Sequence, residues 1–169
     1  GFYGADTGEA ECVETSPAGL DFLADCTKQW EEAVDQIATL GIRLAKVRIG
    51  LVMGANGGIF PVISKPIRYY VGANLGSGKQ WQSWIHINDL VRIFNELLIN
   101  SSLSGVYNGV APEPIRAGEM NKQIAKAFHR PFFLPSIPGF LLHLVLGEMA
   151  CLVLGGSRVS SAKLEKDAS

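Results

Sequence analysis

The chain has 169 residues, 47% of them apolar, enough for one sizeable core and too few for two. Fifteen Lys and Arg balance sixteen Asp and Glu, and no basic run could neutralise a phosphate backbone, which argues against nucleic acid as a partner. Three widely spaced cysteines, Cys12, Cys26 and Cys151, form no CxxC; they argue against a disulfide framework or a zinc site and favour a reducing compartment, expected to be the cytoplasm.

The opening GFYGADTGEA has no Met, basic leader or cleavage pattern, so the chain reads as a portion of a longer protein. The acidic run GEAECVE that follows reads as a solvated loop. From Leu20 to Leu40, Phe22, Leu23, Cys26, Trp30, Ala33, Val34, Ile37 and Leu40 recur at three- and four-residue steps, predicting an amphipathic helix with Asp21 as N-cap and Gly41 as stop. IRLAKVRIGLVMG then alternates before turning wholly apolar, as a strand entering a covered sheet does, and the glycine-rich GANGGIF closes it. Helix, glycine, strand is half of a βαβ repeat.

FPVISKPIRYYVG predicts a helix broken or started by Pro66, and QSWIHI a short strand with Trp84 and His86 on one face. NDLVRIFNELLIN predicts a helix capped at Asn88 or Asp89. The strand GVYNGV, the helix AGEMNKQIAKAFHR, the linker PFFLPSIPG and an apolar helix over Phe140 to Gly156 complete the chain. His143 and Glu148 interrupt that last segment, which favours a buried or interface helix over a membrane span.

VGANLGSGKQWQSWIH invites comparison with a phosphate loop, but Ala73 stands where the first glycine belongs and Gln80 follows Lys79 in place of Ser or Thr. The stretch also runs into a strand, whereas a phosphate loop runs into a helix whose N-terminus meets the anion. Gly76 and Gly78 read as a tight turn. Ser83, His86 and Asp89 do not make a hydrolase triad, since Ser83 and His86 point to opposite faces of a strand. Neither His129 nor His143 has a partner at metal-ligand spacing, and no metal site is expected.

Taken together, GFYG, DFLADCTKQWE, VRIGLVMGANGG, LGSGKQWQSWIHINDL, GVYNGVAPEPIR, RPFFLP and LGEMACLVLGGSRV resemble the atypical, epimerase-like branch of the extended short-chain dehydrogenase/reductases, in order, from Gly1 to about Leu164. The resemblance implies an α/β fold: the C-terminal half of a Rossmann-type doubly wound parallel sheet, plus a smaller, mostly helical substrate lobe that ends in the domain of unknown function typical of this branch. Residues 1–110 would form part of the NAD(P)-binding domain with interleaved substrate-lobe segments, and residues 111–169 a truncated helical lobe. The pyrophosphate-binding glycine loop would lie upstream of Gly1, so the implied partner is the N-terminal half of the same protein.

The same resemblance implies NADP or NAD as cofactor and a small polar substrate, of which a nucleotide sugar is one candidate. The superfamily's Tyr-x-x-x-Lys pair aligns with Cys26 and Trp30, and no tyrosine of this chain has a lysine four residues on. Cys26 is then either a substitute acid or a small apolar residue of the helix face, and Trp30 either stacks on a ring or packs in the core. Nicotinamide contacts carry over to Ile49, Gly50, Leu51 and Val52; Gly50, breaking a β-favouring run, suggests close approach of another backbone or a ligand. Gln80, Trp84 and His86 either line the substrate cleft or serve structure, and Lys79 or Arg116 would meet an anionic group. Loss of the Tyr-x-x-x-Lys pair leaves a second reading open, a dinucleotide-binding regulator or scaffold without turnover.

Overall fold

The structure, a computed structural model, describes residues 1–168, with the side chains at 146, 149 and 152 outside the described set. The acidic run expected to be a solvated loop is strand β1 (Asp6–Cys12). Its charges are taken up from far along the chain: Glu9 pairs with Arg116 and Glu11 with Arg158, while Cys12 is buried. Local sequence carries no sign of such long-range partners. Helix α1 (Phe22–Asp35) starts where expected, with Asp21 accepting from the Ala24 amide at 2.9 Å. A 3-10 turn over Gln36–Leu40 follows and ends at Gly41, whose φ of +72° no branched residue would tolerate.

The expected single strand after Gly41 is two, β2 (Ala45–Ile49) and β3 (Leu51–Gly54), divided at Gly50. The glycine-rich loop holds the two-residue strand β4 (Gly57–Gly58). In helix α2 (Phe60–Arg68) it is Pro61 that occupies the first turn; Pro66 neither starts nor breaks the helix but lies inside its final turn. The expected QSWIHI strand is likewise two pieces, β5 (Trp81–Gln82) and β6 (Trp84–His86).

Helix α3 (Ile87–Ile99) begins one residue before the expected cap. Its cap is His86, whose Nδ1 accepts from the Asn88 amide at 3.2 Å, and Asp89 sits in the first turn paired with Arg92. Strands β7 (Gly105–Gly109) and β8 (Ile115–Arg116) and helix α4 (Ala117–Ala127) follow. The apolar stretch is not one helix: α5 (Gly139–Leu146), a 3-10 turn from Gly147 and α6 (Cys151–Leu154) are separated by Gly147 at φ +58°. Strand β9 (Gly156–Val159) and helix α7 (Ala162–Asp167) close the described chain.

β2 runs parallel to β7 over its full length, and β3 runs parallel to β6 and antiparallel to β4. The change of partner happens at Gly50: its amide donates to Gly109 O at 3.1 Å, and the next amide, Leu51, donates to Ser83 O at 2.8 Å. A β-carbon at Gly50 would lie 2.3 Å from that Ser83 oxygen, so the glycine is required by an approaching backbone. β9 pairs parallel with β1, and β5 antiparallel with β8, so segments beyond residue 110 are woven into the sheets of the first part.

Apolar burial is divided among three clusters. Leu97, Leu103, Tyr107 and Leu164 seal α3 and α7 onto β2 and β7. Met53, Ile67, Met120, Ile124 and Ala125 join β3 to α2 and α4, with Trp84 packed against them. Tyr3, Cys12, Val110 and Val159 form the third, beside β1 and β9. Each fully buried aliphatic side chain contributes about 1.5–3 kcal/mol. The stripe on α1 behaves differently: the helix's buried residue is Ala24, outside the stripe, while Phe22 and Trp30 are 79% and 72% exposed. No described helix is long and apolar enough to cross a membrane.

Candidate cofactor and substrate cleft

The carboxyl ends of β2 and β7, the ends at which ligands of α/β sheets collect, open onto a cleft of about 920 Å³. Its floor is Ile49, Gly50, Leu51 and Val110; Trp30 and Thr27 of α1 line one side and Gly155 to Ser157 another. Ile49 is half exposed there. An apolar floor of this kind suits the face of an aromatic ring.

Arg48 organises the polar wall. Its Nε and Nη2 donate to the two carboxylate oxygens of Glu31 at 2.7 and 2.9 Å, a bidentate pair joining β2 to α1. Nη1 donates to Tyr3 Oη and to Glu14 O, both at 3.0 Å, and the guanidinium lies 3.2 Å from the centroid of the Phe2 ring. Tyr3 Oη donates in turn to Asn108 Oδ1 at 2.6 Å, and the Asn108 amide groups reach Glu14 and Ser160 O. The Arg48 hydrogen bonds hold the Glu31 carboxyl below the usual carboxylate range, against the cost of its burial. Burial pushes the Tyr3 phenol up, with Arg48 opposing, so at neutral pH it is protonated and occupied as both donor and acceptor.

Lys46 is committed as well, 2.8 Å from Asp35 and 3.6 Å from Glu31. Asp21 Oδ2 accepts from the Ala5 amide at 2.6 Å, tying the cap of α1 to the opening loop. Sequence reasoning did not single out this Arg48, Glu31, Tyr3 and Asn108 network. The alternation of Lys46 and Arg48 with apolar residues along β2 was its one visible sign.

Of the four expected nicotinamide contacts, Ile49, Gly50 and Leu51 line the cleft; Val52 does not, being paired in β3 opposite Ile85. Cys26 is half-buried on α1 and lies outside the cleft lining, although Thr27 and Trp30 on the same helix belong to it. His86 is exposed and engaged as a helix cap. Gln80 lines a second, smaller chamber of about 200 Å³ that shares Leu51 with the first. Trp84 packs in the α2–α4 core with its indole nitrogen donating to Glu113 O at 3.1 Å. Arg116 is clamped on Glu9 at 2.6 Å, lies 3.7 Å from the Trp81 ring centroid and donates to Lys79 O. The structure therefore does not bring the three substrate candidates to one surface.

Comparison with known proteins gives a consistent picture. A family profile described as a domain of unknown function (DUF1731) matches residues 137–167. The epimerase family protein SDR39U1 homolog, chloroplastic, of Arabidopsis thaliana is 43% identical over 160 residues, covering 94% of this chain and 45% of the relative. An epimerase family protein of Staphylococcus aureus is 37% identical over 167 residues, 98% of this chain and 55% of its own length. The chain thus spans about half the length of the curated relatives it matches. Human epimerase family protein SDR39U1 (isoform 2), solved with NADPH, superposes with a TM-score of 0.88 at 31% identity over 99% of this chain and 57% of that one. A nucleoside-diphosphate sugar epimerase from Corynebacterium glutamicum gives 0.78 at 30% identity, covering 99% of this chain and 32% of that one. The fold is the Rossmann type.

Proposed function

We propose that this chain, similar over nearly its whole length to epimerase family proteins, forms part of an NAD(P)-dependent oxidoreductase or epimerase acting on a small substrate. The observation that carries the reading is the apolar floor of Ile49, Gly50 and Leu51, set at the carboxyl ends of parallel strands in a cleft large enough for a nicotinamide and its ribose. The NADPH in the human relative's structure supports it.

A nicotinamide dinucleotide, when bound, supplies hydride exchange with a carbinol or carbonyl carbon. This chain's residues would do the rest of the positioning. Ile49 and Leu51 would support the ring, Trp30 would flank it, and the Arg48 network would keep the opening loop from closing the cleft. Lys46 and Arg48 are already paired with Glu31 and Asp35, which leaves them unsuited to a pyrophosphate. The phosphate contacts would come from the half of the fold that the longer relatives possess. Free thiols at Cys12, Cys26 and Cys151 support a reducing compartment, the cytoplasm in our reading; the plant relative's name assigns that protein to the chloroplast.

The second reading, a dinucleotide-binding regulator or scaffold, is favoured by one observation: Tyr3, the phenol nearest the floor, is occupied on both sides and cannot relay a proton. On titration with the protein including the half that would supply the phosphate contacts, NADPH fluorescence should saturate, and Ile49→Asp, at a half-exposed floor position, should weaken binding about tenfold or more with the unfolding temperature retained. Absence of NADPH binding by the unmodified protein refutes both readings. Oxidation of bound NADPH by one member of a carbonyl and sugar panel selects the enzyme; unchanged absorbance across the panel selects the scaffold.

A further inference from the structure

The small chamber of about 200 Å³ lies between β3, α2 and the start of α4, against the same Leu51 that floors the large cleft. It is smaller than the roughly 300–1,000 Å³ of pockets that take drug-sized ligands. Its lining includes Ile59, Val62, Ile63, Pro66, Leu75 and Met120, and among its described lining residues there is no Lys, Arg, His, Asp or Glu. A phosphate placed there would be a buried charge with no counter-ion, which is prohibitive. Lys65, Arg68, Lys79, Arg116 and Lys122 each adjoin a lining residue in sequence, but none is part of the described lining, and Arg116 is clamped on Glu9.

Three side-chain amides line the chamber, and one of them, Asn121, is committed, its Nδ2 donating to Asn74 Oδ1 at 3.1 Å. The Gln80 NH₂ group donates to Leu75 O at 3.0 Å and to Val153 O at 2.9 Å, which fixes the amide's orientation and leaves its buried Oε1 without a protein partner. Gln82, two residues on and on the same side of the chain, lines both the chamber and the large cleft. Its side chain makes no hydrogen bond to any described residue, while its backbone is held by pairing with Ile115. An anchored backbone with an uncommitted amide at the join of two cavities is suited to orienting a ligand that enters one and reacts in the other.

We propose that this chamber takes a compact, uncharged alcohol or ketone, apolar over most of its surface, whose oxygen is held by Gln82 beside Leu51. The proposal rests on the cofactor reading for its chemistry and narrows its substrate away from phosphorylated sugars. Cyclohexanol is the neutral probe and UDP-glucose the charged one, each followed by saturation-transfer NMR on the unmodified protein. Cyclohexanol should bind in the millimolar range and UDP-glucose should not at the same concentration. Gln82→Ala should weaken cyclohexanol about tenfold, the worth of one hydrogen bond. Ala117→Leu, which enlarges another lining side chain and fills the chamber, should abolish cyclohexanol binding independently.

UDP-glucose binding tighter than cyclohexanol, no cyclohexanol binding, or cyclohexanol binding that survives both Gln82→Ala and Ala117→Leu would overturn the assignment. The probe measurements need no dinucleotide. A failed NADPH titration therefore removes the cofactor reading alone, and the two probes still decide what the chamber accepts.

Discussion

Arg48 is where β2, α1 and the opening loop meet, and its neighbours report on it through pH. Glu31 has a depressed pKa in the fold, so its contribution is present above the ordinary carboxylate value of about 4.3 and is lost as pH falls through the lower folded value. Glu31→Gln should reduce stability at neutral pH by about 2 kcal/mol or more, because Arg48 keeps its burial and loses its counter-ion, and should flatten the acid limb of a urea-unfolding profile. Tyr3 works at the other end. Its raised pKa makes its contribution complete below about pH 10 and lost as pH rises through the folded value. Tyr3→Phe, which strands Asn108 Oδ1 and one Arg48 donor, should lose about 1–3 kcal/mol at neutral pH and flatten the alkaline limb.

Among elements, two glycines test different causes of rigidity. Gly50→Ala would push a β-carbon to 2.3 Å from the Ser83 carbonyl oxygen, and since both partners are backbone the strand must move; a loss above about 3 kcal/mol, or failure to fold, is expected by calorimetry. At Gly147 nothing lies within 4 Å of an added β-carbon, so Gly147→Ala should cost only the conformational term of about 1–3 kcal/mol. Asp21→Ala removes both the cap of α1 and the anchor of the Ala5 amide, and should cost about 1–2 kcal/mol. Helix existence was legible from apolar spacing and caps: α1, α3 and α4 fall where their patterns put them. Helix detail was not. Histidine is a rare cap and a chain bend at Gly147 leaves no periodic trace, so the start of α3 and the division of the last apolar segment needed coordinates.

For the whole molecule, stability should be graded. β2, β7 and α3 share the Leu97–Tyr107 core, whereas residues 139–154 form short helices with exposed Phe140, Leu144 and Val145. Native-state hydrogen exchange should therefore find the slowest amides in β2 and β7 and much faster exchange over 139–154; equal protection in both would contradict this packing. The exposed stripe of α1 makes the same point about surfaces, since its residues border a cleft in place of a closed core.

Sequence by itself determined the fold class, the branch it resembles and the principal helices. These depend on local periodicity, caps and motif order, which are written in consecutive residues. Tertiary structure alone decided that an acidic run becomes strand β1, that Arg48 pairs with Glu31, that Trp84 packs between α2 and α4 while Arg116 pairs with Glu9, and that Gln82 stands between two cavities. Those outcomes depend on partners tens of residues away. A carboxylate meets a guanidinium, or an amide is left without one, only when the chain has closed on itself.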